Sequence, residues 1–524
     1  MNVAIIGFAL SMASVVAGFF AAPKHRDYAL PNIIGGWVAL TACAFFIRDN
    51  LFCFMAMSLV LAFLSPQDPV KRICFYVGVM ALSPLSYTAA VPFPGLNYLI
   101  ILNYAKVVTL IVLGPLFIMR AAAPAPPSLR SVDNLIFMFV LLASIISFRE
   151  LPFTSVLRLF VDMMILYVLP YIAISRTIKS AEDINSVFKA FFASMVVIAV
   201  IGIFSVARSW NYYAQLYDLA GIKVYAEYRN GLLRVYSTMN TTMLALTMGA
   251  AAVVTMRLRQ LKIVPALYAY GALGLFGFIA FATGSRGGWL AAIAVVGSYF
   301  VFRYAAPFLR SFYVYAAFAA AFGFGAAVTM NSSMLSGQSA NIAYRAELLR
   351  TSVEQIASRP LFGENGFRDS PRFAHLRQGE GIVDIVNTYV EVAMNNGLVG
   401  AFLLFGGLGA AFFGGLNRMN RMRRSGAETP GASAGEHNLI IIVAIMIGFF
   451  AMIATTSAVS LTWHFGILCT ALAVAQSRVF DQAVSASATK SAPEPAPLIA
   501  SADETEISEP DVKRPYGARF VRDK

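Results

Sequence analysis

Charged residues are scarce in this sequence, at 13% of 524 residues, where a soluble domain carries roughly 25%. That scarcity, with 58% hydrophobic residues and a mean hydropathy of +0.69, excludes an ordinary soluble fold and makes lipid the expected solvent. Cysteine is rare as well. Cys43, Cys53, Cys74 and Cys469 all lie inside apolar runs, without CxxC or Cys/His ligand spacing, so they read as packing residues and imply neither zinc nor disulfides. The first apolar run, Asn2 to Ala22, lacks a basic n-region and is followed at once by more runs, which predicts a first membrane helix rather than a cleaved signal. Acids are fewer than bases, leaving a net charge of +13, but most basic residues form short clusters between apolar runs. They read as topology signals, and no nucleic-acid partner is expected.

Long hydrophobic runs are what the sequence has in abundance. A membrane span needs roughly 20 apolar residues. About fifteen runs meet or approach that length between Asn2 and Gln476, among them Tyr98 to Met119, Phe153 to Ile174, Gly287 to Phe302, Phe312 to Met330 and Asn387 to Gly414. The two near Leu51 and Ile73 are short enough to be re-entrant. The expected fold class is all-α, a polytopic transmembrane helical bundle of about 13–15 spans over residues 1–480, with no internal repeat. From about Asp481 to residue 524 the chain turns to Ala, Pro, Ser, Glu and Lys without apolar periodicity, and a disordered cytoplasmic tail is expected there.

Basic clusters at Lys24/Arg26, Lys71/Arg72, Arg120/Arg130, Arg176/Lys179, Arg257 to Lys262, Arg303/Arg310 and Arg418 to Arg424 fall on alternate loops. Because basic residues resist translocation, they predict an outside N-terminus and a cytoplasmic C-terminus, with the segments 207–238 and 331–386 both outside.

The polar chemistry concentrates in the 331–386 loop. It holds Arg345, Arg350, Arg359, Arg368, Arg372 and Arg377 and no lysine, a bias that suits bidentate contacts to phosphate. The acids Glu347, Glu354, Glu364, Asp369, Glu380 and Asp384 balance them, so internal salt bridges are the plainer alternative for each arginine. Ile342, Ala346, Leu349, Val353 and Ile356 recur at helical spacing, predicting an amphipathic helix that rests on the bilayer or the bundle and stops before Pro360. Asp384, Asn387, Glu391 and Asn395 are spaced to share one face of the following span, lining a cavity or forming a hydrogen-bonded seam. TGSRGG, residues 283–288, offers a tight turn and the fixed charge of Arg286, or is an ordinary glycine-rich hairpin with a snorkelling arginine. The 207–238 segment sets Arg208, Lys223, Arg229 and Arg234 among six tyrosines, a pattern for sugar stacking or interfacial anchoring. Arg158 and Asp162 are spaced as an i, i+4 ion pair, and Lys106 is an isolated charge, functional or snorkelling.

In order, TGSRG, then YRAELLRTSVEQIASRPLFGENGF, then NTYVEVAMNNGLVG resemble the O-antigen ligase and Wzy-type polysaccharide polymerase superfamily over residues 263–415. The resemblance implies transfer of a glycan from undecaprenyl diphosphate at the outer face of the bacterial cytoplasmic membrane, with no nucleotide-sugar, metal or other cofactor. Its implied partners are the lipid-linked glycan, the bilayer, and flippase and chain-length regulator proteins. Arg286 and Arg345 match arginines thought to hold the diphosphate; Arg350, Arg234, Arg229, Asn387 and Glu391 join them as candidate substrate contacts. Ligases of this family carry a histidine just before the asparagine matching Asn387, where this chain has Val386. GEGIVDIVNTYV, residues 379–390, is instead similar to exopolysaccharide polymerases, and Glu380, Asp384 and His375 are the candidate bases for the attacking hydroxyl. The reading is therefore a polymerase, with a ligase passing polymer to lipid or protein, or a glycan transporter, as alternatives.

Overall fold

A computed structural model describes residues 29–46, 51–84, 88–121, 130–214, 216, 226–229, 231–306, 308–310, 312–313, 316, 340–377, 383–424, 430–458 and 461–491. The expected spans Asn2 to Ala22 and most of Phe312 to Met330 lie outside this set, as do Glu380 and residues 492–524.

The expected polytopic helical bundle is what the protein builds. Its helices are α1 (Leu30–Phe46), α2 (Leu51–Leu64), α3 (Pro69–Leu82), α4 (Tyr104–Val108), α5 (Gly114–Arg120), α6 (Arg130–Ser147), α7 (Phe153–Met163), α8 (Leu169–Thr177) and α9 (Ala181–Arg208). They continue as α10 (Thr241–Gln260), α11 (Ala266–Ala282), α12 (Arg286–Tyr304), α13 (Ala340–Ser358), α14 (Thr388–Arg424), α15 (Pro430–Ile453) and α16 (Thr462–Ser491). Among the described residues, seven helices are long and apolar enough to cross a membrane, and α1, α2 and α11 are shorter apolar helices. Large side chains such as Phe52, Phe63, Ile118, Ile293 and Phe402 stay exposed, as a lipid-facing surface requires. α12 packs between α10 and α15, α14 lies along α6, and α9 along α3. All four cysteines are buried and unbridged.

Two expectations need correction. The run Tyr98 to Met119 is not one span: β1 (Ala89–Phe93) and β2 (Leu96–Leu102) form an antiparallel hairpin, and helix begins only at Tyr104, capped by Asn103 Oδ1, which accepts from Lys106 N at 2.8 Å. Pro92 and Pro94 remove backbone donors and Gly95 takes φ +81°, so a turn wins over an apolar helix. Nor do Arg158 and Asp162 pair with each other. Asp162 accepts from Lys106 Nζ at 2.7 Å, while Arg158 Nε donates to the Tyr98 carbonyl at 2.8 Å with its guanidinium 3.9 Å from the Tyr98 ring centroid. The two carriers of the Lys106–Asp162 pair each run into a π-helical stretch, Thr109–Leu113 and Met164–Val168, and the two stretches touch. Such bulges recur at functional sites.

The bundle has two polar ends. At one, Glu150 accepts from the N–H groups of Asn365 and Gly366, Asn211 Nδ2 donates to the Arg234 carbonyl, and Thr242 and Ser285 hydroxyls lie 2.9 Å apart. At the other, Arg176 pairs with Asp133, Arg418 with Asp481, and Asn438 Nδ2 donates to the Ala181 carbonyl. The first end gathers the hairpin and the segments around residues 150, 211–214, 226–229, 231–238, 283–286, 344–377, 383–387 and 455–458, and the second gathers Arg176, Arg418 and Arg478.

Candidate functional site

α11 ends at Ala282 and α12 starts at Arg286, leaving three residues to reverse the chain. Gly284 does so at φ +60°, and Ser285 caps α12, its Oγ accepting from Gly288 N at 3.2 Å. Arg229 and Arg234 brace this turn from a second hairpin, β3 (Tyr228–Arg229) with β4 (Leu232–Leu233). Arg229 donates to the Gly284 carbonyl, and Arg234 Nε to that of Thr283 at 3.3 Å while its terminal nitrogens reach Glu227 and Thr241 Oγ1. The two arginines are therefore committed to the turn. Arg286 is exposed at the first position of α12, with no acid in the first helical turn and, among the described residues, no hydrogen bond or ion pair. A cation at the positive end of a helix dipole is unfavourable unless an anion joins it.

The 340–377 segment forms a small core of its own. α13 ends at Ser358, before Pro360 as expected, and Leu348 packs with Phe367, Phe373, Leu376, Val383, Ile385 and Met394. The buried face differs from the predicted stripe: Leu348, Thr351, Ser352 and Gln355 are buried, whereas Val353 is 54% exposed. Polar contacts set this rotation, since Gln355 Nε2 donates to Glu364 Oε2 at 2.8 Å and Arg372 reaches Gln355 Oε1 at 3.3 Å.

Most of the loop arginines follow the plainer alternative. Arg350 meets Glu354 at 3.4 Å, Arg359 meets Glu364 at 3.7 Å, Arg377 meets Asp369 at 3.6 Å, and Arg368 pairs with Glu391. Arg345 differs. It is exposed and, among the described residues, has no partner. Its neighbour Tyr344 approaches the Asp384 carbonyl at 3.5 Å, and burial raises the Tyr344 phenol above its ordinary value, which keeps it a donor. His375 is exposed, 3.7 Å from Glu347.

The face drawn through Asp384, Asn387, Glu391 and Asn395 does not form, because residues 383–387 are not helical. Asn387 is the cap of α14, its Oδ1 accepting from Tyr389 N at 2.9 Å and Val390 N at 3.2 Å. α14 is then broken at Gly397 (φ +69°, ψ −178°). The break is sharp. In a straight helix the Cα atoms of Tyr389 and Phe405 would lie about 24 Å apart, yet their ring centroids are 4.6 Å apart. The backbone groups freed at the break are satisfied by the loop after α13: Glu364 N donates to the Met394 carbonyl at 2.7 Å, and Leu398 N to that of Pro360 at 2.8 Å.

The TGSRGG turn and the segment that leads into α14 meet at Thr455, Thr456 and Ser457, which follow α15. A Cβ on Gly287 would sit 2.4 Å from Thr455 Oγ1, so glycine lets the start of α12 press against this segment. Thr388 Oγ1 donates to the Thr456 carbonyl at 2.7 Å. Ser457 Oγ lies 3.0 Å from Asp384 Oδ1 and also donates to the Ile385 carbonyl. Sequence reasoning missed these three residues, and nothing marks TTS at the end of an apolar run except its polarity. Among the described residues no three His, Cys, Asp or Glu side chains come together as a metal site requires.

Comparison with known proteins adds a family. Residues 271–405 match the model of the Wzy_C family, described as O-Antigen ligase, and no curated protein matches the chain. The matched stretch contains the TGSRG turn, α13 and the break in α14. Together with the helical bundle it supports a multi-pass membrane enzyme of the O-antigen ligase/polymerase type, acting on a lipid-linked glycan.

Proposed function

From this O-antigen ligase-family segment we propose that the chain is a polysaccharide polymerase, joining undecaprenyl-diphosphate-linked oligosaccharide repeats at the outer face of the cytoplasmic membrane. The observation that carries the reading is that Arg286 and Arg345 are exposed and unpaired among the described residues, that Thr455 to Ser457 join the turn of Arg286 to Asp384, and that Tyr344, beside Arg345, approaches the Asp384 carbonyl. Two forked cations without protein carboxylates suit a diphosphate.

The reaction is a single displacement. A hydroxyl of one lipid-linked glycan attacks the anomeric carbon of another, the C–O bond to the diphosphate breaks, and the diphosphate leaves as an anion. Arg286 and Arg345 stabilise that leaving group, with Arg229 and Arg234 fixing the turn from which Arg286 projects. Asp384, oriented by Ser457, is the best-placed described base for the hydroxyl proton; Glu380 and His375 are the other candidates. The end of the bundle that holds this site faces outward, with the N-terminus outside and the C-terminus cytoplasmic.

Val386 at the family's histidine position favours polymerase over ligase. The glycan made by cells carrying Arg286→Ala or Arg345→Ala, sized on a gel, tests the assignment. Single repeat units alone are expected. Full-length polymer from normally expressed variants would overturn it, and long polymer retained on its carrier would identify a ligase.

A further inference from the structure

The end of the bundle opposite the candidate site brings three arginines near one another. Arg120 closes α5, Arg176 lies in the last turn of α8, and Arg478 projects from α16. Arg176 is 7% exposed and pairs with Asp133, whose other oxygen accepts from Tyr171 Oη. Arg478 donates to the Ile178 carbonyl and lies within electrostatic reach of Arg176 and Arg120. Of the other acids in these segments, Asp183 accepts from the N–H groups of Lys179 and Ser180, Asp481 pairs with Arg418, and Glu182 is exposed in the first turn of α9. Residues 121–129, which follow Arg120, include no acid. Of the three guanidinium groups, only that of Arg176 pairs with a carboxylate among the described residues.

Two further observations point to a ligand. Among the described residues, Nε of Arg120 and Nη1 of the almost fully buried Arg176 have no hydrogen-bond partner. Buried charged donors left in this way are costly. Beside them, Ile118 and Met119 are 78% and 65% exposed, an apolar flank directly continuous with Arg120. A molecule with a phosphate anion at one end and hydrocarbon at the other satisfies both.

We propose that Arg120, Arg176 and Arg478 form a phosphate-binding site between α5, α8 and α16, occupied in the membrane by the headgroup of an anionic phospholipid. The forked donors suit phosphate oxygens, and basic clusters where helices leave the bilayer are a recognised setting for anionic headgroups. The site lies at the end of the bundle opposite the candidate glycan site.

The test uses the full-length protein in neutral detergent, with Tm followed during titration by short-chain phosphatidylglycerol, phosphatidylcholine of equal chain length, or inorganic phosphate. Phosphatidylglycerol is expected to raise Tm and phosphatidylcholine to leave it unchanged. Arg120→Gln and Arg478→Gln should each weaken the apparent affinity for phosphatidylglycerol about fivefold, Arg120→Lys should retain most of it, and Arg259→Gln, an exposed arginine held against Tyr270, should not change it. A matching response to inorganic phosphate would uphold the site and assign it to a soluble anion. Equal responses to the two lipids, or undiminished affinity in both glutamine variants, would overturn the proposal; if those variants do not fold, lipid counted by native mass spectrometry on Arg120→Lys and wild type decides, retention of the zwitterionic lipid at the same level counting against it.

Discussion

Gly363 and Gly397 pack backbone against backbone: a Cβ on Gly363 would lie 2.5 Å from the nitrogen of Gly397, and one on Gly397 would lie 2.2 Å from the Leu361 carbonyl oxygen. Both have positive φ, +59° and +69°. Side chains are excluded twice, by the dihedrals and by the contact. Gly363→Ala and Gly397→Ala should each cost about 2–4 kcal/mol, read as a lowered Tm of the detergent-solubilised protein. Unchanged Tm in both would mean that the loop does not seat in the break.

Arg286 follows by two residues the Gly284 carbonyl that Arg229 holds, but the two arginines are in different circumstances. Arg286→Ala removes a charge with no described partner, so stability should hold while the rate of glycan transfer falls by about 10²–10³. Arg286→Lys should recover only part, because an ammonium replaces the planar fork. Arg229→Ala takes a donor from the Gly284 carbonyl, and both Tm and rate should fall. Radiolabelled lipid-linked substrate and thermal melts on the same preparations separate these outcomes.

Much of this site was legible in residues whose chemistry is local. Pro360 announced the end of α13, and the TGSRG turn was marked by its glycines. What escaped depended on partners brought from afar. Arg158 and Asp162 have ideal helical spacing, yet each found a better partner, on the hairpin and on α4, and sequence spacing carries no information about either. The Asp384 face failed because Asn387 ends the extended segment as a helix cap, and the apolar character of Leu96 to Leu102 concealed a strand behind what looked like a span. Thr455 to Ser457 carry no motif at all; only the fold makes them the meeting point.

The Lys106–Asp162 pair should behave as a unit. Asp162→Asn leaves an ammonium among π-helical neighbours and Lys106→Met leaves a carboxylate, so each single change should cost about 1–3 kcal/mol. The double variant should cost less than their sum. A double-mutant cycle on chemical or thermal unfolding measures the coupling, and strict additivity would show that the pair contributes nothing beyond its separate charges.

Arg158 anchors the hairpin through a hydrogen bond and a stacked ring. Arg158→Ala should therefore loosen Ala89 to Leu102 specifically, seen as faster amide exchange there with the exchange of α9 and α15 unchanged. Arg158→Lys keeps the charge without the fork and should give an intermediate rate. Uniformly faster exchange throughout the bundle would assign Arg158 a global role instead.

The joining of the Arg286 turn to Asp384 through Thr455 to Ser457 also has a history in time. Arg286 leaves the ribosome long before Ser457, and at about 5–20 residues per second the interval is roughly 10–30 s. During that interval the TGSRG turn and Asp384 have both been made, but the segment that joins them has not. A chain stopped at Ile453 would contain every residue of the matched family stretch and still lack the joint. The candidate site is therefore completed only once Ser457 has been made, so chains not yet extended to it would not bind the lipid-linked glycan productively.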